Sequence, residues 1–124
     1  MAAPNIANLT TITGVTTSLT LTTTSQTVLS NAASSNKVSK INTIAASNIG
    51  GATAKVTVRY VQGAAGAGTT VSLATGIDIT AGSTLIITDK NSPFYLEEAR
   101  SLTALASANS AIDLVVSYED ITNL

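Results

Sequence analysis

Residues 111–121 read AIDLVVSYEDI. Ile112, Leu114, Val116 and Tyr118 alternate with Asp113, Val115, Ser117 and Glu119. Successive side chains of a strand point to opposite faces, so this spacing describes a β-strand with one dry and one wet side. The period of two continues upstream. Leu102, Ala104 and Ala106 share a face and are followed by a turn at 107–110. Ile77 and Ile79 alternate with Asp78 and Thr80, and Leu85 and Ile87 keep the spacing beyond an Ala81-Gly82 turn. Val71 and Leu73 of TTVSLA, and Val56, Val58 and Tyr60 of AKVTVRYV, repeat it again.

KVSKINTIAA from Lys37 and AKVTVRYV, joined by the SNIGGAT turn, read as a hairpin-like pair. QGAAGAG is a loop whose glycines tolerate positive φ and which contributes nothing to a core. Pro93 cannot donate to a ladder, so Phe94 to Leu96 belongs at a strand start or a sheet edge, with a short helix over 93–100 as the local alternative. Eight or so short strands separated by Gly, Ser and Asn turns predict an all-β chain, a single antiparallel β-sandwich or jelly-roll-like domain.

The first 36 residues contain no charged side chain. Ile6, Asn8, Thr10 and Ile12 alternate with Ala7, Leu9, Thr11 and Thr13, and neither side is fully apolar. Thr favours strand over helix. Residues 1–36 are therefore expected to be an extended, Thr/Ser-rich N-terminal arm or edge strands, ahead of a sandwich core over 37–124. An uncharged edge lacks the Lys gatekeepers that keep strands from pairing with other chains, which makes Ile6, Leu9, Ile12, Val15, Leu19 and Leu21 the candidate interface residues.

Composition limits the chemistry. The 124 residues suit one domain. There is no cysteine and no histidine, which removes disulfides, thiolate nucleophiles, the usual general base near neutral pH and the usual ligands of zinc, copper and iron. Charged residues make up 10% of the chain, against about 25% in ordinary globular domains. A surface that poor in charge resembles the middle of a protein interface more than the outside of a monomer. Lys37, Lys40, Lys55, Arg59, Lys90 and Arg100 are dispersed among seven acids, so no basic stripe fits a phosphate backbone and nucleic acid is not an expected partner. No run of about eighteen apolar residues and no signal peptide are visible, so no membrane partner is expected either.

Possible sites have simple alternatives. Glu97 and Glu98 adjoin, but neighbours in a strand face opposite ways, which is poor geometry for a glycosidase pair. Asp78, Asp89 and Glu97-Glu98 offer oxygens for calcium without a DxDxDG loop. GAAGAG lacks the Lys-Ser/Thr pair of a phosphate loop, and no SxxK signature supports a serine nucleophile. No catalytic, cofactor or metal residue is assigned, and a non-enzyme is expected.

Four stretches in order, MAAPNIANLTTITG from residue 1, LSNAASSNKVSKIN from 29, DKNSPFYLEE from 89 and VVSYEDI from 115, resemble small virion structural proteins of marine and cyanobacterial tailed bacteriophages. The resemblance implies a place on the surface of a virion assembled in the host cytoplasm. The role it implies is a capsid decoration or cement protein that stabilises the head by protein contacts, or a neck, tail or fibre accessory piece. The implied partners are the major capsid protein or other virion proteins and further copies of the chain. A host-glycan module using the loops near Gly63 and Gly82 is the other functional reading, weakened by the absence of Trp.

Overall fold

The computed structural model describes residues 11–122. Nine strands follow in order: β1 (Thr11–Thr20), β2 (Gln26–Asn31), β3 (Lys37–Asn48), β4 (Ala54–Val61), β5 (Thr70–Ile79), β6 (Thr84–Thr88), β7 (Phe94–Leu96), β8 (Arg100–Ala106) and β9 (Ile112–Thr122). A single 3-10 turn, Ala64–Gly66, interrupts the β4–β5 loop. The first sheet has the order β1-β9-β3-β6, with β7 also on β3, and the second has the order β2-β8-β4-β5. Every pairing is antiparallel. The chain is a β-sandwich of jelly-roll order, as its alternation predicts.

The apolar faces read from β3, β4, β8 and β9 meet between the sheets, whereas on the edge strand β5 only Ile79 is buried and Val71, Leu73 and Ile77 are exposed, contrary to the alternation. Ile41, Ile44 and Ala46 of β3 and Leu114, Val116 and Tyr118 of β9 pack against Val56 and Val58 of β4 and Leu102, Ala104 and Ala106 of β8. Phe94 of the first sheet meets Tyr60 of the second edge to face, with ring centroids 6.5 Å apart, a favoured aromatic geometry.

The hairpin expected across SNIGGAT does not form, because β3 and β4 lie in different sheets. The turn after β3 carries the chain from the first sheet to the second, and so does the β1–β2 connection. The turns after β5 and β8 carry it back. β4–β5 is a true hairpin. Alternation specifies which side of a strand is dry, and that side is satisfied equally by a partner in the same sheet or by one across the core. Residues 93–100 form β7 and a turn, not a helix.

Two buried asparagines hold the crossings. At the β3–β4 crossing the Asn48 side-chain amide donates to the carbonyls of Ala52 and Ile79, each at 2.8 Å, and its oxygen accepts from the Gly50 N–H at 2.9 Å. At the β2–β3 crossing Asn31 donates to the carbonyls of Lys37 and Leu96 at 2.9 and 3.0 Å and accepts from the Ser35 hydroxyl. A chain leaving one sheet for another abandons its ladder, and these amides replace the bonds it loses.

Candidate assembly interface

The outer face of the first sheet is built of registered rows. One row runs Ser18, Val115, Ala45, Ile86 across β1, β9, β3 and β6. Val115 and Ile86 are 40% and 52% exposed, although each lies within a paired strand. The next row runs Thr20, Asp113, Ser47, Thr84. Its polar groups satisfy one another: the Thr20 hydroxyl donates to Asp113 at 2.7 Å, and the Ser47 and Thr84 hydroxyls lie 2.9 Å apart. On the other side of the apolar row stand Thr16, Ser117 and Thr43. Charge reappears one row further on, at Glu119 and Lys40, which face each other. The middle of the face thus presents Thr, Ser, Ala, Val and Ile, with its one carboxylate already bonded.

The candidate interface residues that the structure describes fall into three groups. Ile12 is 56% exposed on this side of the sheet. Val15 and Leu19 point inward from β1 and pack on the rim of the core, half buried because β1 is the edge of its sheet. Leu21 is fully buried and belongs to the core, where it presents nothing to a partner. Ile6 and Leu9 lie outside the described residues. The segment 11–36 supplies an edge strand to each sheet, so both β1 and β2 are paired within the chain.

The four sheet edges are not alike. β2 carries a register irregularity between Thr27 and Leu29, and β5 is offset from β4 at two places. Opposite β3 the edge is divided between β6 and the three-residue β7. β1 alone runs ten residues in unbroken register with its neighbour. Bulges and short strands are common means of blunting an edge. β1 has neither, and it has no charge.

The acidic residues are dispersed. Asp78 is held by Lys55 at 2.7 Å, Asp89 accepts from the Asn91 N–H in a turn, and Asp120 accepts from the Ser39 hydroxyl at 2.6 Å with Lys37 at 3.6 Å. Among the described residues no three Asp or Glu side chains converge on a common point. Glu98 stands apart. It is 5% exposed, and one carboxylate oxygen accepts from the Asn36 N–H at 3.0 Å. The other is the one buried side-chain polar atom without a partner among the described residues. Glu97 is exposed.

The glycine-rich loop is not a free surface loop. The Ser101 hydroxyl donates to the Gly63 carbonyl at 2.7 Å and accepts from the Gly66 N–H at 2.9 Å, while the Ala65 N–H donates to the Ser30 hydroxyl at 2.8 Å. The loop is thereby pinned across β2 and β8. No helix among the described residues is long and apolar enough to cross a membrane.

Neither a protein-family model nor a curated protein matches the chain. Among solved structures it is similar to a chain in the work described as "Bacillus endospore appendages form a novel family of disulfide-linked pili", with a TM-score of 0.56 and 17% identity over 92% of this chain and 88% of that one. A chain in "Crystal structure of the T13 IBDV viral particle reveals a missing link in icosahedral viruses evolution" is similar with a TM-score of 0.49 and 12% identity, over 93% of this chain and 32% of that one. The present chain thus spans about a third of that second chain. At such identities the likeness is one of fold.

The sequence reading missed Asn31 and Asn48, and weighed Glu98 as half of an acid pair without foreseeing its burial. The asparagines had a signal. Both close a strand as the second residue of a Ser-Asn pair followed by a small-residue turn, SNAASSN and SNIGGAT. Glu98 had none, because its burial depends on a loop from the far side of the chain.

Proposed function

We propose that the protein is a non-enzymatic structural subunit of a bacteriophage virion, a decoration protein that strengthens the head by packing against its shell and against further copies of itself. The observation that carries this reading is the charge-poor, internally satisfied outer face of the first sheet, bounded by the unblunted edge of β1. Such a surface asks nothing of a ligand and a good deal of a flat protein neighbour. The fold is shared with a chain from disulfide-linked pili. This chain has no cysteine, so its own contacts in an assembly are not disulfides, and repetition around a symmetric particle would multiply the strength of modest noncovalent ones. The same surface would serve a neck, tail or fibre piece.

Quantitative mass spectrometry of purified virions, followed by image reconstruction, distinguishes these placements. Hundreds of copies over the head are expected for a decoration protein. A few dozen copies at the neck or tail would favour the accessory role, and absence from virions would remove the structural reading.

A further inference from the structure

We infer that two copies of the protein join through their β1 strands, antiparallel about a two-fold axis at Thr17, so that their first sheets become one continuous sheet. This rests on the reading of the chain as an assembling subunit and specifies its first contact.

The backbone shows which groups of β1 have no partner among the described residues. The Leu21 N–H donates to the Ile112 carbonyl at 2.8 Å, in register with the β1–β9 ladder. In an antiparallel ladder the N–H and C=O of one residue point the same way and alternate from residue to residue. Leu19, Thr17 and Val15 therefore bond β9, while Thr20, Ser18, Thr16, Gly14 and Ile12 turn theirs to the free side. Thr22, of that second parity, has its carbonyl taken by the Ala106 N–H of the other sheet. The available stretch thus ends at Thr20.

A second copy fits this edge for three reasons. An uncharged strand meeting itself brings no like charges together at the axis, whereas a Lys-bearing edge would. The inward faces of both strands must stay inward, which pairs odd residues with odd ones. Of the registers that do so, the one centred on Thr17 sets Val15 against Leu19 of the second copy and Leu19 against its Val15, covering the apolar side chains that lie half exposed on the rim. Thr16 then meets Ser18 across the join, and Gly14 meets Thr20. About eight backbone hydrogen bonds result. The strand pair alone covers less than the roughly 800 Å² per partner of a stable complex. A weak dimer is expected in isolation, reinforced when many copies are held on a particle.

The absence of native cysteine makes the register directly readable. In the proposed geometry Thr17 faces its own copy as a non-hydrogen-bonded pair with Cα atoms about 4.5 Å apart, within disulfide range. Thr16 is separated from its own copy by more than the roughly 7 Å limit. Full-length protein carrying Thr17→Cys should cross-link to a dimer under mild oxidation at millimolar concentration, and Thr16→Cys should remain monomeric. Thr16→Cys combined with Ser18→Cys should cross-link again. Ser18→Pro removes an outward N–H without breaking a bond to β9. It should keep the fold by circular dichroism and lower the dimer association constant, measured by sedimentation of the cysteine-free protein, at least tenfold.

Equal cross-linking of Thr16→Cys and Thr17→Cys would overturn the register. Self-association unchanged by Ser18→Pro, with no Thr17→Cys dimer, would overturn the β1 contact while leaving assembly through another surface intact. A monomer at all concentrations whose Thr17→Cys form does not cross-link would also overturn it, and the virion copy number would then judge the assembly reading by itself.

Discussion

Val116→Asp and Val115→Asp together test the facing of the central strand. Val116 is fully buried, registered between Thr17 of β1 and Ile44 of β3. Val115, one residue earlier, is 40% exposed on the outer face. Replacing Val116 forfeits the burial of its side chain, about 1.5–3 kcal/mol. The introduced carboxyl must also take up a proton to stay in the core; with a pK shift of about 3–5 units that costs roughly 4 kcal/mol at pH 7, the ceiling set by the about 3.1 units between pH 7 and the ordinary Asp value of about 3.9, at about 1.36 kcal/mol each. The sum, about 5–7 kcal/mol, is comparable to the lower end of the whole stability of a chain this size at about 0.05–0.15 kcal/mol per residue. Val116→Asp is expected to be largely unfolded at 25 °C and pH 7, while Val115→Asp stays within about 0.5 kcal/mol of the parent. The sign of the pH dependence follows. The introduced carboxyl has a folded pKa above its unfolded value, so the folded state binds more protons between the two. The penalty therefore grows as pH rises through that window and is relieved below about pH 4. Urea denaturation followed by circular dichroism at pH 7 and pH 4 measures both effects. Equal stability of the two variants, or a Val116→Asp protein as stable as the parent, would refute the assignment of faces on which the sandwich rests.

Asn48→Ala removes three hydrogen bonds and strands the Ala52 and Ile79 carbonyls, which should cost about 2–4 kcal/mol in urea denaturation. Glu98→Gln keeps an acceptor for the Asn36 N–H and removes a buried charge with an unpartnered oxygen; it should change stability by less than about 1 kcal/mol, whereas Glu98→Ala should lose about 1–3 kcal/mol. Burial, and secondarily the Asp120 carboxylate, holds the Tyr118 hydroxyl above its ordinary value of 10.0. The folded state then keeps that proton where the unfolded chain releases it, so this contribution to stability is intact below pH 10 and is lost as pH rises beyond it. Thermal denaturation scanned from pH 9 to 11.5 should show a steeper fall for the parent than for Tyr118→Phe.

The faces of the central strands were legible because burial writes itself into alternation, while at the edge strand β5 the apolar residues Val71, Leu73 and Ile77 stay exposed. Leu114 and Val116 point into the core beside Ile44 and Ala46 as their spacing implies. The partners were not legible. Nothing in SNIGGAT or in the turn at 107–110 distinguishes a hairpin from a step between sheets, since the choice depends on bonds made by residues far away, such as the Ile79 carbonyl that receives Asn48. The candidate interface was read from hydrophobicity and missing charge in residues 1–36, signals that cannot separate an edge from an interior position. Leu21 shares the composition of its neighbours and is buried because the chain turns inward there, its N–H and C=O taken by Ile112 and Ser110. The outer face of the first sheet escaped notice because its residues are gathered from four strands and each is unremarkable alone.

The pairing of β1 with β9 sets an order of events during synthesis. The partner of the first described strand lies roughly a hundred residues later in the chain, and β9 is also the strand that joins β1 to β3, so the loop that must close before the first sheet exists is nearly the whole domain and folding is correspondingly slow. Until β9 emerges, β1 has two open edges in place of one and β3 lacks its central neighbour. A nascent chain is then at its most adhesive, with an uncharged Thr-rich strand in search of any partner. Completion converts that exposure into one free edge of fixed length. A polypeptide halted before Ile112 lacks the strand that would join the two, and its unpaired β1 and β3 leave it prone to aggregation.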